Sequence, residues 1–447
     1  MIKGKKLIPV LFGMIVVCSV IVTILIQKKA DSFEVVDLDV TIQKQNVTEV
    51  IHLYKKDDVC YLFLPAYANL DETYLKYSGE YSVYFDNEKK EYKSGSALGK
   101  LDYNVMYNCK INDKAGRNIS QDKVIFYKSS NVAEMYITLK DGTISDINAN
   151  QNVKKAGNVV ITNPTSDIDY MGDFKSMKGR GNSSWNAEKK PYIIKFNEKA
   201  NLLKLGESQE WVLVANAYDE SNIRDMVVYE AARSLGMKYT PRCEFVDLYV
   251  DGTYCGLYLL VQKINVDENS VNITNLEEKT QQINEKQLKD YNTFEKTEEN
   301  QYKKGFCISN DVEDISGGYL VELTMEDRLY KIDSAFSTKK HLFFKVDEPK
   351  YASEQQIDYL SEYFQQIEDG LQQEDILEKI DLKSWVEYYL IQECFANTEA
   401  VSFFFYKDLD SIDDKLYAGP VWDFDMALGN CFGIQGSCCP DAFYVTL

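Results

Sequence analysis

The sequence predicts an α+β protein with a membrane-anchor helix over residues 1–31, a small β-rich domain over 32–130, and a larger mixed domain over 131–447. Three observations carry that reading. Leu7 to Ile26 is an apolar run of about twenty residues, the length that spans a bilayer as a helix. From Ser32 to about Ser130, short alternating stretches are punctuated by turn residues. Beyond that point, strand-like runs are joined by segments whose apolar residues repeat at helical spacing.

Lys3, Lys5 and Lys6 precede the apolar run, Lys28 and Lys29 follow it, and no small-x-small cleavage site closes it. The expectation is a retained signal anchor and a single-pass membrane protein, attached to the membrane through its N-terminal helix. The flanking lysines nearly balance and lean weakly toward a cytoplasmic N-terminus with the large domain outside.

Composition narrows the chemistry. The 447 residues are 45% hydrophobic, enough for more than one core. A formal charge of -20 argues against nucleic acid as a partner and is compatible with a basic protein substrate. Two histidines leave little room for a Ser-His-Asp triad or a histidine-based zinc site, so catalysis would rest on carboxylates, Lys, Arg and amides. The ten cysteines include no two paired C-x-x-C sites, which leaves buried thiols or one or two disulfides.

In the small domain, Val59 to Leu64 and Tyr81 to Phe85 read as strands, with turn signals at Asp86-Asn87 and Ser94-Gly95. No chemistry converges there, and a spacer or recognition module is the expected role. Strands follow at Glu134–Leu139 and Gly157–Ile161. The loop Lys178-Gly-Arg-Gly-Asn-Ser-Ser-Trp185 comes next, its Gly179 and Gly181 freeing the backbone on both sides of Arg180 to approach a ligand. Asn182, Ser183 and Ser184 add donors, so amides and a guanidinium could hold phosphate oxygens; a turn whose arginine makes an internal ion pair is the plainer alternative.

Pro191 to Phe196 is an apolar strand carrying Lys195, with Lys189 and Lys190 just before it. A lysine so placed can grip phosphates or snorkel to the surface. Asp219 or Ser221 can cap a helix through Ile223, Val227, Val228 and Ala231 that stops at Gly236, with Arg224 and Glu230 on it. Phe245–Tyr249 and Tyr254–Gln262 form a hairpin turning at Asp251-Gly252. Residues from about 265 to 316 are polar and repetitive, and read as a mobile insertion. The strand at Gly317–Leu323 contains Glu322. Ser353 and Asp381 cap two further helices, and Asn397-Thr-Glu399 leads into a strand over Ser402–Lys407.

The last stretch with chemistry is Gly419-Pro-Val-Trp-Asp-Phe-Asp425. Val421 to Phe424 suits a buried strand end, in which Asp423 and Asp425, at i and i+2, would share a face and converge on one cation. Hard oxygen ligands of this kind suit Mg2+ or Mn2+. One aspartate capping a turn or pairing with a buried arginine would explain the pattern equally.

Taken together, these motifs resemble the CotH kinase family of spore-coat proteins. The resemblance runs from about residue 130 to 447 through Lys178–Trp185, Lys189–Phe196, Trp211–Asn216, Asp219–Arg224, Leu248–Leu260, Gly317–Glu322 and Gly419–Asp425, in order. It implies an α+β, protein-kinase-like domain that transfers the γ-phosphoryl group of ATP to Ser or Thr of a protein, with basic, Ser-rich stretches of a coat or surface component as the expected substrate class. By the same resemblance Asp423 is the main metal ligand, Asp425 a second ligand or orienter and Asn397 a metal-side amide. Glu399 is the base, while Arg180, Asn182, Ser183 and Lys195 contact ATP. Glu230 would pair with Lys195 as the glutamate of the corresponding kinase helix does. Two departures stand out. Glu399 replaces the aspartate common in the family, and the chain ends soon after the acidic motif where relatives continue, as a C-terminally truncated domain would. Both fit the alternative of a non-catalytic pseudokinase or surface-assembly protein.

Overall fold

The structure, a computed structural model, describes residues 38–430 apart from 45–46, 87–89, 285, 287, 289–292, 299–300 and 400. It divides into two compact units. The first holds the described residues up to Ile137 together with Thr162–Ile168 and Asp247–Gly256, and the second holds Thr138–Ile161, Asp169–Val246 and the described chain from Leu257 onward.

The first unit is built of strands. Tyr54–Lys56, Val59–Leu64, Asn118–Lys128, Met106–Asn112 and Ser82–Phe85 lie in that order in one sheet, and Val47–His52, Asp39–Lys44 and Thr73–Lys76 form another. Alternation puts Cys60, Leu62 and Leu64 into the core with Val83, Phe85 and Phe126, while Tyr61 and Phe63 face outward. The strands expected at Val59–Leu64 and Tyr81–Phe85 are therefore present, the second as Ser82–Phe85.

A closed seven-stranded barrel follows, in the order Lys155–Thr162, Ile168–Gly179, Tyr192–Asn201, Glu207–Val214, Thr253–Gln262, Cys243–Val250 and Ala133–Leu139. Trp211, Leu213, Ile194, Phe196, Phe174 and Met177 are buried on its strands. The expected hairpin turns where predicted, with Asp251 and Gly252 both at positive φ, 49° and 86°, which is the type I′ pattern. A second seven-stranded sheet contains Tyr319–Thr324 between Phe343–Glu348 and Phe404–Lys407, and it packs through Tyr319, Val321, Phe344 and Val346 against the helix Glu354–Gly370. The polar stretch 265–316 contributes the helix Leu276–Ile283 and the strands Thr293–Glu298 and Gln301–Phe306 to this part of the chain.

Helix limits follow capping chemistry. Ser353 and Gln356 form a reciprocal capping box, Asp381 accepts the Ser384 N–H, and Arg224–Leu235 stops at Gly236 with φ 98°. The N-cap of that last helix is Ile223, and Asp219 acts from outside by accepting the Arg224 N–H at 3.0 Å.

Two expectations are corrected. The described residues are mostly β, with 39% strand against 19% helix and a closed barrel, so the α+β kinase-like fold does not describe them; the anchor helix expected over residues 1–31 lies outside the described residues. Alternating segments that read locally as separate hairpins close on one another, because Ala133–Leu139 pairs with Cys243–Val250 far along the chain. The single-pass membrane placement likewise finds no support. Among the described residues no helix is long and apolar enough to cross a membrane, and Leu7 to Ile26 lies outside them. The cysteines at 60, 109, 243, 255, 307 and 394 are free thiols; Cys18, Cys431, Cys438 and Cys439 lie outside the described residues.

Candidate active site

The acidic stretch is anchored by its apolar members. Val421, Phe424 and Ala427 are fully buried with Val228, Tyr229 and Ala232 of the Arg224–Leu235 helix and with Tyr388 and Ile391 of the helix Leu382–Cys394. With those side chains committed to the core, Asp423 and Asp425 border a cavity of about 440 Å3. The segment is not a strand end, because Asp423 is left-handed at φ 67°, a conformation aspartate tolerates better than most residues. Both aspartates nonetheless reach one cavity through this turn.

The helix start holds the turn in place. Asp225 accepts the Phe424 N–H at 2.8 Å, and Arg224 donates from Nε to the Ala427 carbonyl at 2.9 Å while pairing with Asp219. From the other side, Thr398 donates to the Met426 carbonyl at 3.1 Å and Ser402 to Asp423 Oδ2 at 3.3 Å. The segment carrying Glu399 is thereby tied to the one carrying the aspartates.

The glycine-flanked loop lines the same cavity through Arg180, Gly181, Asn182, Ser183 and Ser184. Gly181 has φ 86°, and a Cβ at Gly179 would meet the Trp185 ring at 2.2 Å, so both positions require glycine. Arg180 lies 5.5 Å from the Trp422 ring centre, which in turn stacks on Tyr229 at 6.2 Å. Lys190 is committed to the Trp185 carbonyl at 2.8 Å, and Lys189 bonds the Leu257 carbonyl.

Electrostatically the cavity is short of positive charge. Burial, and then Asp423, pushes Asp225 up to about 7. Burial followed by Asp423, Asp225 and Glu399 pushes Asp425 up to about 8. Asp423 is raised by burial against the opposing pull of Arg180, and Glu399 is raised by burial and by Asp423. The carboxylates thus repel one another across a small space, a state that an added cation would relieve.

Several expected residues stand elsewhere. Lys195 is absent from the cavity wall and pairs with Glu210 at 3.0 Å, a carboxylate it shares with Lys263 at 2.7 Å. Glu230 is exposed and pairs with Arg233, one turn along its own helix. Asn397 is buried behind the wall, where its side-chain oxygen accepts the Glu399 N–H at 3.2 Å and shapes the turn that presents that carboxylate. Conversely, Arg328, Lys345 and Ser402 line the cavity without having been singled out as contacts, and Glu322, a candidate adenine-side or structural residue by its place in the strand, lines it as well. Glu322 was detectable as the lone charge inside the apolar strand at 319–324 and Lys345 as the lone cation of the strand at 343–348, where opposite charges suggest a cross-strand pair. Arg328 and Ser402 carried no comparable signal.

For a divalent ion, the described residues contain no group of three or more His, Cys, Asp or Glu set to enclose it. Mg2+ needs no such cage, since it keeps several waters and binds through one or two carboxylates plus substrate phosphates. Asp423 and Asp425, charge-deficient and facing open space, fit that mode. Asn397 fits it poorly, its oxygen being engaged.

A carboxylate-rich cavity faced by a glycine-flanked arginine loop and two further cations is thus the candidate site. The CotH kinase protein family matches residues 177–438, more than half of the chain, and the chain belongs to that family. A comparison with curated proteins finds no match.

Proposed function

We propose that this protein transfers the γ-phosphoryl group of ATP, bound with Mg2+ or Mn2+, to Ser or Thr of a protein. The observation that carries the reading is the convergence of Asp423, Asp425 and Glu399 with Arg180 and Arg328 on one cavity. Phosphoryl transfer asks chiefly for positioning and charge neutralisation, which these groups supply without histidine.

Asp423 and Asp425 hold the metal, which when bound neutralises charge on the phosphate oxygens. Arg180, braced against Trp422, contacts phosphate with donors from Asn182 and Ser183. Glu399 accepts the proton of the acceptor hydroxyl, a task its raised affinity for protons favours. The chain's formal charge of -20 suits basic, Ser-rich acceptors. Glu399 in place of the aspartate usual in the family supports a second reading, in which nucleotide binds without transfer.

The test is incorporation of γ-labelled phosphate into the protein itself or into a basic Ser-rich peptide. Asp423→Asn keeps shape and most hydrogen bonding while removing one charge, and it is expected to lower the rate on the order of 10²–10³-fold. Equal incorporation by both proteins contradicts the proposed site. No incorporation by either, with Mg2+-ATP still bound, supports the second reading.

A further inference from the structure

We propose that Lys345, oriented by Glu322, is the lysine that contacts the phosphate chain of the nucleotide, and that Lys195 has no part in binding it. This rests on the phosphoryl-transfer reading above.

Tyr319–Thr324 and Phe343–Glu348 run antiparallel with Glu322 directly opposite Lys345. Alternation buries Phe344 and Val346 in the core and sends Lys345 and Asp347 to the other face. Lys345 Nζ lies 3.0 Å from Glu322 Oε2 and 2.5 Å from Asp347 Oδ1. Both Lys345 and Glu322 line the cavity that contains Asp423 and Asp425, and the Lys345 side chain remains 34% exposed. An ammonium has three donors, so two bonds to protein leave one for a ligand.

Among the described residues that line the cavity Lys345 is the one lysine, beside Arg180 and Arg328. A nucleotide whose transferring phosphate sits at Asp423 and Asp425 has its phosphate chain in that same cavity.

Lys195 meets none of these conditions. It lies off the cavity wall and is tied, with Lys263, to Glu210. Its place on an apolar strand next to the glycine-flanked loop made it the candidate in sequence. The strand Phe343–Glu348 brings a lysine to the same cavity from the other sheet.

The test compares ATP with adenosine, each titrated calorimetrically into the full chain with Mg2+. Lys345→Met is expected to weaken ATP by about 10- to 100-fold, the range for one hydrogen bond to a charged group, and to leave adenosine affinity unchanged. Lys195→Met is expected to leave both affinities unchanged. Because Lys345→Met strands a buried carboxylate, Glu322→Gln combined with Lys345→Met serves as the folded control and is expected to show the same ATP-selective loss. Lys345→Arg is expected to recover part of the ATP affinity. ATP binding to Lys345→Met at the wild-type level, an equal loss of ATP and adenosine in the double variant, or an ATP-selective loss in Lys195→Met each overturns the assignment. Failure of the unaltered protein to bind ATP overturns the assignment together with the phosphoryl-transfer reading beneath it.

Discussion

Glu210 and Asp425 are carboxylates of the same unit, both withdrawn from solvent, and they behave in opposite ways. Burial alone would raise Glu210, but Lys263 and Lys195 outweigh it and hold the group at about 2, against an ordinary value of 4.5. Asp425 has no lysine within 4 Å among the described residues, and burial followed by Asp423, Asp225, Glu399 and Asp219 lifts it to about 8 from an ordinary 3.8. The first carboxylate is a finished structural ion pair. The second is charge left unbalanced by the fold, and unbalanced charge at a cavity is the signature of a site completed by a ligand.

The largest effect expected from this contrast is on catalysis. Glu399→Gln removes the proton acceptor while leaving nucleotide contacts in place, and transfer is expected to fall on the order of 10²-fold or more. Calorimetric titration should give an ATP affinity within about twofold of the unaltered protein's, because the base acts on the acceptor hydroxyl. A matched loss of ATP binding and transfer would move Glu399 from base to nucleotide contact.

Next comes stability at the finished pair. Glu210→Gln leaves Lys195 and Lys263 facing a neutral amide, and denaturant unfolding should show a loss of about 1–3 kcal/mol at pH 7. The pH dependence has a definite sign. The folded value lies below the unfolded one, so the contribution is fully present above about 4.5 and is lost as pH falls toward 2. In Glu210→Gln that loss should be absent, and the stability curves of the two proteins should converge in acid.

The smallest effect runs the other way. Asp425 has a folded value above its unfolded one, so the folded state binds the extra proton and stability falls as pH rises from about 4 to about 8. Asp425→Asn removes that conflict and is expected to stabilise the metal-free protein by about 1–2 kcal/mol at pH 7, after allowance for solvent screening, while lowering transfer. Destabilisation by this substitution would mean that Asp425 is a structural partner like Glu210, and the contrast would collapse.

What could be read from the sequence divides along a similar line. The glycine-flanked Arg180 and the aspartates at 423 and 425 were marked by local pattern and Glu399 by the family resemblance, and the structure brings all of them to one cavity. Caps at Ser353 and Asp381 and the turn at Asp251-Gly252 were legible for the same reason, since their chemistry is complete within a few residues. Barrel closure was not legible, because it depends on pairing between strands distant in sequence. The partner of Lys195 was not legible, because strand alternation gives a face and not the neighbour across the sheet, and here that neighbour is Glu210. Asp225 carries no signal beyond its place in a first helical turn, yet it holds the Phe424 amide and thereby the Asp423 turn.

The central claim is that the carboxylate cavity is completed by a divalent ion and a nucleotide together. The most direct measurement is thermal unfolding of the full chain with ATP, with and without Mg2+, for the unaltered protein and Asp423→Asn. At about 100 times the dissociation constant, Mg2+-ATP should stabilise the unaltered protein by roughly 2.7 kcal/mol. ATP with chelator should give little or none of that shift, and Asp423→Asn should lose most of the Mg2+-dependent part. A shift of equal size with and without Mg2+, or one unchanged by Asp423→Asn, would contradict the account.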